Sequence, residues 1–297
     1  MAIPYWIEHD ENGNPINYVW VKIPKIPAQE TITYIIEKTD GYTPNGDAVF
    51  DFFDDFDESL DVSKWVVKSG VSYYITNSEL HVTDRDTHIA SQVSFSNPRI
   101  FGARIRVLAV NGQLGFELGD NQNHDSKRIY FLPTGAEDIY IDPNGSGYVV
   151  VEDIFTDAVG DVYSPFEIKT TVSATVFSFK RNGISWFKNY DYGWADNNYI
   201  GLGGYQVGVT SKTSNEVAFN FVYVRKYTTN EPTVVIEDRG TYYKLEITNN
   251  ETIDLFDYQV AIPVVELNIQ SATESLKIVT PPKSYIAYIT CKEECNL

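Results

Sequence analysis

Apolar and polar side chains alternate with a period of two along most of the chain, and no stretch sustains the 3.6-residue period of a helix. The first three segments with this pattern are PYWIEHD, INYVWVKIP and TITYIIEK. In the second, Val19, Val21 and Ile23 alternate with Tyr18, Trp20 and Lys22, as in a strand with one buried face. The connector DENGNP carries Asx and glycine turn signals and predicts a hairpin. Asp10, Asn12 and Asn14 have the alternate spacing of a calcium loop, but the later glycine and glutamate of such a loop are missing. Pro24 and Pro27 are expected to end the second strand and to be expelled from any central one.

The stretch DAVFDFFDDFDESLDVSKW, Asp47 to Trp65, joins these front segments to a long β-rich body and organises both. Phe50, Phe52 and Phe56 lie at even spacing opposite Asp51, Asp55 and Asp57, which predicts one half-buried strand, broken or bulged at Phe53 and Asp54. The carboxylates Asp54, Asp55, Asp57, Glu58 and Asp61 are expected in water or on a cation. From Trp65 to about Tyr227, roughly thirteen strand-like segments are separated by Asn, Asp and Gly, the pattern of a large antiparallel sandwich. KRNGIS predicts a two-residue hairpin at Asn182 and Gly183, and the glycines of GLGGY predict a bulge or close strand packing. After the linker TTNEP come five more segments: TVVIE, TYYKLEIT, FDYQVAIPV, SLKIVT and SYIAYIT. Three strands at the front and five at the back are each few for an independent sandwich, so the two sets are expected to complete one another.

Composition narrows the picture. The chain has 297 residues, room for one large β domain and a small one. It is 43% hydrophobic and 14% aromatic, enough for packed cores. A formal net charge of −18 argues against nucleic acid and anionic membranes, leaving neutral glycans, cations or another protein as partners. No apolar run reaches the roughly 18 residues of a membrane span, so no membrane insertion is expected, and MAIPYWIEHD lacks the basic and apolar regions of a signal peptide. The only cysteines, Cys291 and Cys295, stand four apart without a histidine nearby, which disfavours zinc. In a strand their Cα atoms would lie about 13 Å apart, so a disulfide requires a turn there; the bridge and the pair of free thiols both stay open.

DAVFDFFDDFDESLDVSKW and FNFVYVRKYTTNEPTVVI together resemble the two borders of a concanavalin A-like lectin/glucanase jelly roll, of the laminin G-like kind found in archaeal surface proteins and some archaeal viruses. That family usually has an acidic residue before the VRKY strand, where this chain has Asn220. The flanks resemble a domain of uncharacterised function that habitually precedes such jelly rolls. PYWIE, VWVKIPKIPA, TITYII and NGDAVFDFFDDF look like its later half, and KLEITNNETIDLFDYQVAIP like its opening. The order is reversed, as if cut from a tandem array or circularly permuted. The resemblances reach to about Val265.

These readings give an all-β fold: an antiparallel two-sheet jelly-roll sandwich over residues 47–228, plus a smaller β-sandwich built from residues 1–46 and 229–297. The small sandwich is expected to close within one chain, with head-to-tail self-association as the other arrangement.

Glucanases of the resembled family cleave glycosides with carboxylates spaced as Glu, any, Asp, any, optionally one more, then Glu; a retaining pair lies about 5 Å apart. The nearest matches, Glu117 with Asp120 and Glu137 with Asp138 and Asp142, do not have that spacing, so no catalytic residue is assigned. The four histidines are scattered, and neither a nucleophile elbow nor a phosphate loop is present. For glycan binding, WFKNYDYGWADNNY and the residues after it offer Trp186, Tyr192, Trp194, Asn197, Tyr199 and Tyr205 as aromatic platforms and amide partners. For calcium, the candidate ligands are Asp54, Asp55, Asp57 and Asp120. The function expected is a non-enzymatic structural or adhesion module, extracellular, on a cell surface or in a virion, with a glycan or a cell-surface protein as partner. A glycoside hydrolase is the alternative.

Overall fold

The two-residue alternation becomes strands in a computed structural model, which describes residues 2–109, 114–124, 128–131, 139–142, 149–152, 159–171, 177–181, 184–188, 197–204 and 215–281. For 128, 139–142, 149–152, 165, 177–181 and 184–188 it describes the backbone alone. Two compact units emerge, one from Met1–Asp51 with Thr228–Leu297 and the other from Phe52–Tyr227.

The second unit is a sandwich of two antiparallel sheets. The first runs Ile184–Lys188, Phe177–Arg181, Val162–Thr170, Arg99–Ala109, Glu216–Lys226, Glu79–Val82, Tyr73–Thr76, with Phe52–Asp54 also on Glu216–Lys226. The other runs Val149–Glu152, Ile139–Asp142, Arg128–Phe131, Leu114–Gly119, Asn197–Gly204, His88–Ser91, Trp65–Ser69. Alternation decides which side chains meet between the sheets. Phe101, Ala103, Ile105 and Val107 of the first sheet share a buried core with Leu114, Phe116, Leu118, Ile200 and Leu202 of the other. Their strand neighbours, including Gly102, Arg104, Glu117 and Gly201, therefore point away from that core. Arg181 and Ile184 are register partners across the predicted two-residue hairpin, whose Asn182 and Gly183 lie outside the described residues.

The stretch from Asp47 to Trp65 departs from the single strand predicted. Asn45 caps a short helical turn, Gly46–Val49, by accepting from the Ala48 N–H at 2.9 Å, so the chain is not extended there. Phe50 consequently packs edge-on against Trp6 and Trp20 in the first unit, at 5.9 and 5.6 Å between ring centres. Phe52 packs against Trp65 in the jelly roll at 5.2 Å. Phe56 has a left-handed backbone, φ +51°, which ends the extended run. The expected aromatic face is thus divided: Phe52 and Phe56 join the jelly-roll core, whereas Phe50 packs with Trp6 and Trp20, which alternate with the core-facing Tyr5, Ile7, Val19 and Val21 of the first unit. Asp54 is also not in water: it is 6% exposed, and accepts from the Trp65 indole N–H at 2.6 Å and the Phe56 N–H at 2.9 Å.

The first unit joins the two ends of the chain. Pro15–Ile26 lies between Tyr5–His9 and Leu255–Pro263, and Thr31–Lys38 lies between Tyr243–Thr248 and Leu276–Val279, with Thr233–Asp238 beyond. Front strands therefore pair with back strands in both sheets. Tyr5, Ile7, Val19, Val21 and Ile36 bury one face with Leu245, Ile247, Val260, Ile262 and Ile278. The Tyr5 hydroxyl donates to the Glu274 carbonyl and accepts from the Leu276 N–H, each at 2.9 Å. In the connector after Tyr5–His9, Asp10 Oδ1 accepts from the N–H groups of Asn12 and Asn14, so the Asx turn forms a hairpin. Pro24 does not end the second strand. It stands beyond the ladder with Tyr5–His9, whose last partner is Val21, and there the strand is paired only with Leu255–Pro263. SYIAYIT, Cys291 and Cys295 lie outside the described residues.

Because both sheets interleave the two ends, deleting residues 1–38 should strip the partners from the back strands. Limited proteolysis should then cleave within 232–297 at protease levels that leave the intact chain uncut. Protection of that segment in the truncated chain would mean that the ends fold separately.

Candidate functional site

The face of the second sheet that points away from the core holds the most concentrated chemistry among its described residues. Leu114–Gly119 directs Phe116 and Leu118 inward, so Glu117 points outward. After that strand the chain turns at Asn121, whose Oδ1 accepts from the Asn123 N–H at 2.8 Å and whose carbonyl accepts from the His124 N–H at 3.2 Å. His124 takes the left-handed conformation, φ +50°, and its ring folds back onto the sheet. Its Nδ1 lies 2.8 Å from Glu117 Oε2. His88, from the strand beyond Asn197–Gly204, meets it edge to face at 4.8 Å and donates from Nδ1 to the Gly204 carbonyl at 2.8 Å. All three side chains are fully buried.

Glycines make this arrangement possible. A Cβ at Gly201 would lie 2.4 Å from His124 Cε1 and 3.0 Å from His88 Cε1, and one at Gly119 would lie 2.7 Å from His124 Cγ. Gly119 is paired with Tyr199, and Gly201 with Glu117, so the bare backbone of two adjacent strands cradles the imidazole. Close packing at GLGGY, expected from sequence, is present further along as well: Gly203 has φ +103° and its missing Cβ would meet the Thr87 carbonyl at 2.5 Å.

A carboxylate paired with an imidazole can exchange a proton, but a glycosidase also needs a second carboxylate across the scissile bond and access for the sugar. Two positions after Glu117 is Gly119, covered by the His124 ring. Four and five positions after it are Asn121 and Gln122, whose amides donate to Asp120 Oδ1 at 2.9 Å and to the Ser91 carbonyl at 3.1 Å. Asn220, where the resembled family carries an acid, is buried and donates to the Ser78 carbonyl at 3.0 Å. A carboxylate could not make that donation. Glu137 and Asp138 lie outside the described residues, and Asp142 is described by backbone only.

Of the glycan candidates, Tyr192, Trp194 and Tyr205 lie outside the described residues, and Trp186 is described only as backbone in Ile184–Lys188. Asn197 is exposed and paired with Ser96; Tyr199 is half-buried. Of the calcium candidates, Asp54 is committed to two internal donors, Asp57 Oδ1 accepts from the Ser78 hydroxyl at 3.1 Å, and Asp120 holds the Asn121 amide. Among the described residues no three His, Cys, Asp or Glu side chains gather as a metal would require. Burial first, then the charges of Asp57 and Asp54, push the Asp55 carboxyl up to about 6.

The histidines look scattered in the sequence, and their assembly is not visible there. The local turn at Asn121 brings His124 onto Glu117, but residues 88 and 201 join them only through strand order, and the pair of glycines at 119 and 201 lies on strands that turn out to be neighbours.

Residues 1–68 match a family described as a domain of unknown function, DUF2341. No curated protein matches the chain. Similar solved structures include an immunostimulatory antigen and pseudo β-1,3-glucanase of Mycobacterium tuberculosis, at 16% identity and TM-score 0.44, covering 61% of this chain and 100% of that one. A β-1,3-1,4-glucanase (lichenase) from a mouse hindgut metagenome is similar at 14% identity and TM-score 0.46, covering 58% and 97%. A glycosyl hydrolase family protein from Mycobacterium fortuitum is similar at 13% identity and TM-score 0.40, covering 59% and 99%.

Gly201→Ala should force the buried His124 ring out of its cradle and cost roughly 1–3 kcal/mol in urea unfolding; a loss within error would contradict the cradle. Asp55 binds its proton more tightly folded than unfolded, so its ionisation costs stability as pH rises from about 4 to 6 and the full cost stands above that. Asp55→Asn should therefore stabilise the chain at pH 7, by at most ~3 kcal/mol, and leave it unchanged near pH 3. Destabilisation at pH 7 that appears only with added calcium would instead identify Asp55 as a cation ligand.

Proposed function

We propose that the chain is a non-enzymatic structural or adhesion module, displayed on a cell surface or virion, whose jelly roll binds carbohydrate without hydrolysing it. The observation that carries this reading is the fate of Glu117, the glutamate with a described side chain in the two segments whose carboxylate spacing comes nearest to that of a glucanase. It is 0% exposed and tied to a buried imidazole, and the neighbouring position that should carry a second carboxylate is a glycine occupied by that imidazole. Such a face can stay rigid and still recognise a sugar around its rim. The net charge of −18 favours a neutral glycan over an anionic one. The likeness of the front segment to a domain that precedes jelly rolls in archaeal surface and viral proteins supports the setting.

Incubation with laminarin and lichenan, with reducing ends measured against an active lichenase, should give no release above the blank. Affinity electrophoresis in gels containing neutral polysaccharides should retard the same protein. Reducing-end release that Glu117→Gln abolishes would establish the hydrolase instead.

A further inference from the structure

On the opposite sheet of the jelly roll, Leu80 and Val82 point into the core, so Glu79 and His81 point outward beside the edge strand Tyr73–Thr76. Tyr74 is the register partner of His81, and the two rings stack at 4.5 Å with 13° between their planes. The Tyr74 hydroxyl donates to Glu216 Oε1 at 2.6 Å, and His81 Nδ1 lies 2.8 Å from the same oxygen. His81 Nε2 faces Glu79 Oε2 at 3.5 Å, and Arg106 closes the network by donating twice to Glu79, at 2.8 and 2.6 Å.

Each imidazole nitrogen faces a carboxylate, an arrangement that suits the doubly protonated ring. Burial alone would lower the His81 pKa, but the bonds to Glu79 and Glu216 outweigh it and hold the pKa above the ordinary value. The Tyr74 phenol, held first by its bond to Glu216, is pushed up to about 12 and stays neutral. Tyr74 is thus fixed at its hydroxyl and on one ring face. Yet it is 45% exposed, against 6% for His81 beneath it.

An immobilised aromatic ring in water, with polar groups at its rim, gains contact area at little cost in side-chain entropy when a ligand arrives. Thr76, exposed two residues along the same strand face, and Glu216, with its side chain 27% exposed, stand at that rim. We propose that Tyr74 is a stacking platform for one ring of a neutral hexose chain, with Glu216 and Thr76 taking hydrogen bonds from its hydroxyls. The apolar C–H face of a pyranose fits an aromatic face, and a carboxylate at the rim accepts from hydroxyls while repelling uronic or sulfated sugars. The proposal rests on the carbohydrate-binding reading and places a contact on the strand Tyr73–Thr76, at the other end of the sheet order from Ile184–Lys188.

The test is a titration of the isotope-labelled full chain with laminarihexaose, cellohexaose and mannohexaose, followed by nuclear magnetic resonance. At least one hexasaccharide should shift the Tyr74 and His81 resonances. Tyr74→Ala should weaken its binding about tenfold or more, while Tyr74→Phe, which keeps the ring, should weaken it several-fold less. Shifts confined to other residues, or equal affinity of Tyr74→Ala, would overturn the platform and leave the lectin reading standing. Absence of shifts with all three sugars would overturn both.

Discussion

The short ladder between Phe52–Asp54 and Val222–Val224 is the constraint on which the architecture depends. It pairs the first strand of the jelly roll with its last, antiparallel, so the chain comes in and goes out side by side in one sheet. Only with that geometry can segments separated by some 180 residues of sequence fold as one unit without a long connector. Asp54 anchors the ladder's end through the Trp65 indole and the Phe56 N–H, and Phe52 packs on the same indole. A buried carboxylate is costly, and the two donors at 2.6 and 2.9 Å offset part of that cost here, although burial still holds the Asp54 pKa above its ordinary value. This explains why an acidic run thick enough to suggest a cation site begins with a residue turned inward.

A second buried carboxylate, on the other sheet, obeys the same physics. Glu117 stands on the outward face of that sheet, where an exposed acid would be open to a substrate, yet it is sealed against His124. Two glycines on adjacent strands supply the space, and a left-handed turn at His124 supplies the direction. Backbone conformation and missing side chains, more than charge, seal Glu117 against the imidazole. The opposite sheet uses its outward acids differently: Glu79 and Glu216 fix an imidazole and a phenol and leave an aromatic ring in water.

Much of the fold was legible because the two-residue period is a local property. Val19, Val21 and Ile23 face a core as their alternation implies, and the back strands join the front ones as their small number implied. The failures came where a local rule was overridden. Phe50 obeys the alternation of its neighbours, but an Asn45 cap turns the chain before it and sends it against Trp6 and Trp20 of the first unit, away from the jelly-roll core that takes Phe52. Pro24 sits inside a middle strand because the ladder on one side ends at Val21. The clusters around His124 and His81 were illegible because each joins a local pair, Glu117 with His124 and Tyr74 with His81, to residues such as His88 or Arg106 and Glu216 that only strand order brings near.

The discontinuous first unit is the feature on which this account rests most heavily, and excision tests it directly. Residues 52–227 would be replaced by a short Gly-Ser linker joining Asp51 to Thr228, and the product examined by amide spectra and urea unfolding. Dispersed resonances with a single cooperative transition are the predicted result. A chain with collapsed amide dispersion and no transition would show that the two ends do not by themselves make a domain.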